Sequence, residues 1–283
     1  MNRTSVTGPA SEFGMASQDK FILEEGLRIV TEAETKGVIL RILGAIAFMH
    51  HSQNFSGLFR DLARLGKENL FTDIDLIGYK KQRKDIRELM EDQLKFEVDR
   101  HVLMLHSDRR LIYYHPKNQM IVDIFLDALQ FSHDLVFGTD PKNGRLNLDY
   151  PTIPLPDLLL QKLQIHEINE KDLKDIFALV RAHSLSNDTT TRDAINLNRI
   201  CEVLSEDWGF WKDSVTNLTK TQELASQLRD KGLISEEDRN DFFEKTTEIL
   251  GKVENYPKSK NWIKRAKAGA SKPWWSDVDE ILR

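Results

Sequence analysis

Two aspartates one residue apart, Asp73 and Asp75 in "ENLFTDIDLIGYKK", interrupt a run that is otherwise mostly apolar. In an extended strand residues i and i+2 project to the same side with Cα atoms roughly 7 Å apart, so their carboxylate oxygens can converge on one ion. Two such charges together in a low-dielectric place are costly unless one takes a proton or a cation joins them. A divalent cation removes the conflict. Magnesium accepts carboxylate oxygens in an octahedral array and keeps positions for phosphate, which is what metal-assisted phosphoryl or nucleotidyl transfer requires. Asp123, in the separate apolar run "MIVDIFLD", can add a third ligand and a base toward an attacking hydroxyl. The competing explanation is an acidic pair at a strand end facing water, since a D-x-D recurs by accident.

These side chains need elements to hold them. "FTDIDLIGY" alternates, with Phe71, Asp73, Asp75 and Ile77 on one face and Thr72, Ile74, Leu76 and Gly78 on the other, which predicts a strand. Upstream, "VILRILG" predicts a short central strand and "AIAFMHH" the start of a helix, so that Gly44 lets a phosphate approach the backbone at a helix N-terminus. "DKFILEEGLRIVTEAETKG" predicts a first helix with Phe21, Leu23, Leu27 and Val30 inward and Gly37 as its stop. Residues 52–70 begin as a polar loop with a helical turn or two in "LFRDLARL"; its Arg60, Arg64 and Lys67 either contact substrate or form a solvated face. "KQRKDIRELMEDQL" is an amphipathic helix with Ile86, Leu89, Met90 and Leu94 inward. "HVLMLHSDRRLIYYHPKNQMIVDIFLDAL" offers two or three strands with a turn at 116–119, hence a hairpin, and leaves Asp127 at a strand end or turn.

From residue 156 the chain turns helical. Pro156 stands near a first helical position, Asn169 is an N-cap, and Ser235 with Asp238 has capping-box spacing. The expected class is α+β: a mixed sheet flanked by helices, then a helical C-terminal region. Residues 1–14 read as a disordered leader foreign to the fold, 15–183 as the mixed domain, and 184–283 as the helical region beginning in the polar segment "SLSNDTTTRD". The last stretch mixes lysines with Trp262, Trp274 and Trp275 and either docks back on the body or meets a partner. A net charge of −5 gives no global attraction to nucleic acid. The sequence shows neither a membrane-spanning run nor the apolar stretch of a signal peptide, so a cytoplasmic protein is expected. Lone Cys201 reads as a small apolar residue, and eight histidines without zinc spacing, His50 and His51 included, read as structural.

"ILGAIAFMHH…FTDIDLIGY…MIVDIFLD" resembles the nucleotidyltransferase fold of the DNA polymerase β superfamily, in which a G-[GS] turn opens a helix, a D-x-D follows, and a third aspartate lies in an h-D-h-h strand. "IPLPDLLLQKLQIHEINEKDLKDIFALV" is similar to the helical segment of the AbiEii toxin-like branch. The resemblance implies Mg²⁺ or Mn²⁺ at Asp73, Asp75 and Asp123, and a nucleoside triphosphate as substrate. It implies a nucleotide site at Gly44, Ala45, Lys162, Lys171, Asp172 and Asp175. By the toxin-like branch RNA, including a tRNA 3′ end, would be the acceptor, a protein hydroxyl or a small molecule being the open alternatives, and an antitoxin-like chain a partner. The chain departs from the pattern at Ala45, where Ser or Gly is usual, so a side-chain donor to phosphate is missing. That departure keeps open an inactive protein that binds nucleotide or serves as an interaction module. On the residues alone, Lys162 can equally contact phosphate or carry its charge to the surface, and Asp172 can be a helix-opening acid.

Overall fold

The computed structural model describes residues 17–52, 70–98, 108–188 and 191–277. The leader, the expected turns around Arg60, Arg64 and Lys67, and the "HVLMLH" run lie outside the described residues. Helix α1 (Ser17–Thr35) turns Ile22, Gly26, Ile29 and Ala33 to the sheet, while Phe21, Leu23 and Leu27 are only partly buried. Of the expected inward face only Val30 is fully buried, so the face is rotated. Gly26 lies on the buried face, where a Cβ would make ordinary contacts with Ile42, Ile46 and Ile74. Gly37, at φ +72°, ends the helix as expected.

Strands β1 (Leu40–Ile42), β2 (Ile74–Gly78), β3 (Glu97–Val98), β4 (Arg110–Tyr114) and β5 (Ile121–Leu126) form a five-stranded sheet in the order β1-β2-β5-β4-β3. β2 and β5 run parallel at its centre, and the other pairings are antiparallel. The expected hairpin is β4 and β5. Helix α2 (Gly44–His51) follows β1 directly, and α3 (Arg83–Arg87) continues as a π turn over Glu88–Gln93, burying Ile86, Leu89 and Met90. A small hairpin, β6 (Ala128–Gln130) and β7 (Asp134–Val136), leads away from the sheet. Asp127 sits at the bend before it with φ +65°, its carboxylate accepting the Lys80 N–H, a turn residue as expected.

Helices α4 (Leu155–Leu163) and α5 (Glu170–Ala182) come next, and Asn169 caps α5 by accepting the Asp172 N–H. After α5, β8 (Ser184–Ser186) pairs in parallel with β9 (Ala194–Asn196). Among the described residues α6 (Leu197–Glu206), α7 (Trp208–Asp230), α8 (Glu236–Asn255) and α9 (Lys260–Ala266) follow, with the Ser235/Asp238 capping box present at α8. α6 and α7 pack on α4, and α7 and α8 on α5, so one apolar core continues from the sheet into the helices. Cys201 is buried in it. The terminal tryptophans dock on the body: Trp274 Nε1 donates to Asp213 Oδ1 at 2.9 Å and Trp275 stacks on His166 at 3.6 Å. The architecture is α+β, and among the described residues no helix is long and apolar enough to cross a membrane.

Candidate active site

The parallel register of β2 and β5 makes Asp75 and Asp123 direct partners, so both side chains leave the sheet on the same face. Asp73 does not belong to the strand, contrary to expectation. β2 begins at Ile74 because the preceding N–H groups of Leu70 and Phe71 are taken by the buried carboxylate of Asp19 on α1, which draws that segment off the ladder. Asp73 sits in the bend, where Thr72 Oγ1 donates to its Oδ1 at 2.9 Å.

Gly44 lies against Asp75. It has φ +66°, and a Cβ there would stand 3.2 Å from Asp75 Cγ and nearer still to Oδ2. Only glycine supplies both the left-handed backbone and that approach. The Leu43 N–H donates to the Asp75 carbonyl at 3.0 Å, fixing the start of α2 beside the acid. Ala45 follows, partly buried against the core.

Arg110 is the residue that spacing did not reveal. From β4 its Nε lies 2.6 and 2.7 Å from the two Asp123 carboxylate oxygens, a second bond runs from Nη2, and the guanidinium rests over its ladder partner Phe125. Burial works against the Arg110 cation, but its bonds to Asp123 and the charges of Asp123, Asp75 and Asp73 outweigh that and raise its pKa. One guanidinium thus feels all three aspartates.

The three carboxylates offer hard oxygen donors of the kind magnesium takes. Their present layout is another matter. Arg110 covers Asp123, and among the described residues no group of three or more His, Cys, Asp or Glu side chains is set to hold a metal ion. The donors therefore fit a divalent cation in kind, and at Asp123 such an ion would compete with Arg110.

α4 and α5 bring the other expected residues together. Lys162 neither reaches the surface nor points at open space. Its Nζ lies 2.6 Å from Asp172 Oδ1 and 3.0 Å from Asp175 Oδ2, under the Phe48 ring of α2 at 5.5 Å. Asp172 thereby does two things, opening α5 under Asn169 and holding Lys162. Lys171 is partly buried on the same helix. Gln161, beside Lys162, accepts the Gly44 N–H on Oε1 at 3.2 Å and ties α4 to the opening of α2.

No family model matches the chain, and no curated protein matches its sequence. Among solved structures it is similar to the antibiotic-resistance factor ANT(2'')-Ia, with a TM-score of 0.35 and 13% identity over 57% of this chain and 83% of that one. At that level of similarity the function has to be read from the site's own residues.

Proposed function

We propose that the chain is a metal-dependent nucleotidyltransferase that moves a nucleotidyl group from a nucleoside triphosphate to a hydroxyl acceptor. The observation that carries this reading is the register that sets Asp75 opposite Asp123 with Gly44 and the start of α2 against Asp75. The acceptor oxygen bonds to the α-phosphorus, the bond from that phosphorus toward the β-phosphate breaks, pyrophosphate leaves with the electron pair, and the acceptor proton passes to Asp123. Mg²⁺ or Mn²⁺, held by Asp73, Asp75 and Asp123, would neutralise charge on the phosphates. Gly44 and Ala45 offer backbone to the phosphates. Lys162, Asp172 and Asp175 brace the nucleotide side by locking α4 to α5, with Lys171 beside them.

A second reading, a nucleotide-binding protein without turnover, is favoured by Arg110 on Asp123, since a carboxylate in two guanidinium bonds is a poor base. One experiment separates the two. Each α-labelled nucleoside triphosphate is incubated with Mg²⁺ and the protein, offering RNA with tRNA included, protein, and small hydroxyl compounds as acceptors, beside the Asp73→Asn variant. Label transferred to any acceptor by the parent and lost in the variant supports the enzyme. Thermal stabilisation by triphosphate with no transfer supports the binder.

A further inference from the structure

The opening of α2 lacks a side-chain donor. Ala45 has no hydroxyl, and Leu43 at the N-cap makes no side-chain bond. Gln161 reaches this place from α4. Because a backbone N–H requires an acceptor, the bond from Gly44 assigns Oε1 to that side and leaves Nε2, with its two N–H donors, on the other. The Gln161 side chain belongs to a residue only 7% exposed, yet Nε2 has no hydrogen-bond partner among the described residues and keeps contact with solvent. With Oε1 held by the turn and Nε2 open to solvent, the amide can donate to a group that is not part of the chain. The partial positive charge of a helix N-terminus favours an anion there. Asp75, touching Gly44 from the sheet, repels a bare anion. Both conditions are met by a phosphate that arrives with a divalent cation.

We propose that Gln161 binds the triphosphate: Nε2 donates to a phosphate oxygen and supplies the side-chain donor that Ala45 cannot. The inference rests on the nucleotidyltransferase reading of this site. It assigns Gln161 two bonds with separate jobs, Oε1 to the turn and Nε2 to the substrate. Calorimetric titration of the full chain with a non-hydrolysable Mg²⁺-triphosphate analogue and with the plain nucleoside tests it. Gln161→Glu keeps an acceptor for Gly44 but presents an anion to the phosphate; affinity for the triphosphate should fall by about tenfold or more, with nucleoside affinity unchanged. Gln161→Met, uncharged and of similar size, serves if the glutamate chain does not fold. Adding Ala45→Ser to Gln161→Met should recover part of the lost triphosphate affinity, which a purely structural role for Gln161 would not allow. Equal triphosphate binding by the parent and both single variants would overturn the inference and leave the nucleotidyltransferase reading standing. A parent that binds no triphosphate would overturn both.

Discussion

Arg110 stands where a cation is expected, and its pairing with Asp123 decides how the acids behave. Breaking a buried pair by removing one partner costs about 3–5 kcal/mol, because the other charge is left uncompensated. Asp123 is 2% exposed, so Arg110→Gln should lower stability by about that amount when no divalent cation is present. Millimolar Mg²⁺ should then restore the thermal midpoint of the variant more than it raises that of the parent, and an equal response in both proteins would contradict the competition between Arg110 and a metal. Asp75 and Asp123 were legible in the sequence because strand alternation is strict and each sits in an apolar run. Arg110 was reachable in principle. Counting back from the 116–119 turn pairs Arg110 with Phe125, which puts Asp123 on the adjacent diagonal of the same face. The bonds of Gln161 were not reachable, since they join residues 117 positions apart through a helix contact that local patterning does not encode.

Helix openings were the most legible elements, because caps are local chemistry. Asn169, Ser235 and Asp238 all perform the bonds their spacing suggests. Asn169→Ala should cost about 1 kcal/mol, the usual worth of an N-cap. The same change frees the N–H of Asp172, whose carboxylate holds Lys162, so amide exchange should quicken in the first turn of α5. Unaltered exchange there would detach the cap from the Lys162 group. Two elements were misread for the same physical reason. The inward face of α1 is the one that Ile22, Ile29, Val30 and Ala33 bury in the core, and β2 starts late because Asp19 claims the preceding N–H groups. Both depend on a neighbour distant in sequence.

Across the whole molecule, α4 and α5 pack on α2, which in turn lies on β2, and a histidine group marks the joint. His51 bonds Thr152 Oγ1 at 2.6 Å, and His183 Nε2 bonds the His51 carbonyl at 3.0 Å. Burial, then the neighbouring His50 and His183, pushes the His51 pKa down to about 3, and burial also lowers His50 and His183. Unfolded imidazoles take up protons near pH 6.5, whereas burial holds these neutral to lower pH in the fold, so the unfolded chain binds more protons below pH 6.5. The stability that His51 contributes is therefore full above about pH 6.5 and lost as pH falls toward 3. Denaturant midpoints at pH 7.5 and pH 5 should show a smaller drop for His51→Gln than for the parent; an identical drop would place the acid sensitivity elsewhere. The docking of Trp274 and Trp275 was one of two outcomes the composition allowed, and it turned on Asp213, buried and bonded to His133, His166 and Trp274 together. The most direct test of the whole account is a kinetic cycle on Asp75 and Asp123. With α-labelled triphosphate and Mg²⁺, Asp75→Asn and Asp123→Asn should each abolish nucleotidyl transfer while the chain stays folded, and the double variant should lose no more, because groups acting as one unit are not additive. Losses that multiply, or transfer that survives either single change, would contradict a site in which these two acids share one task.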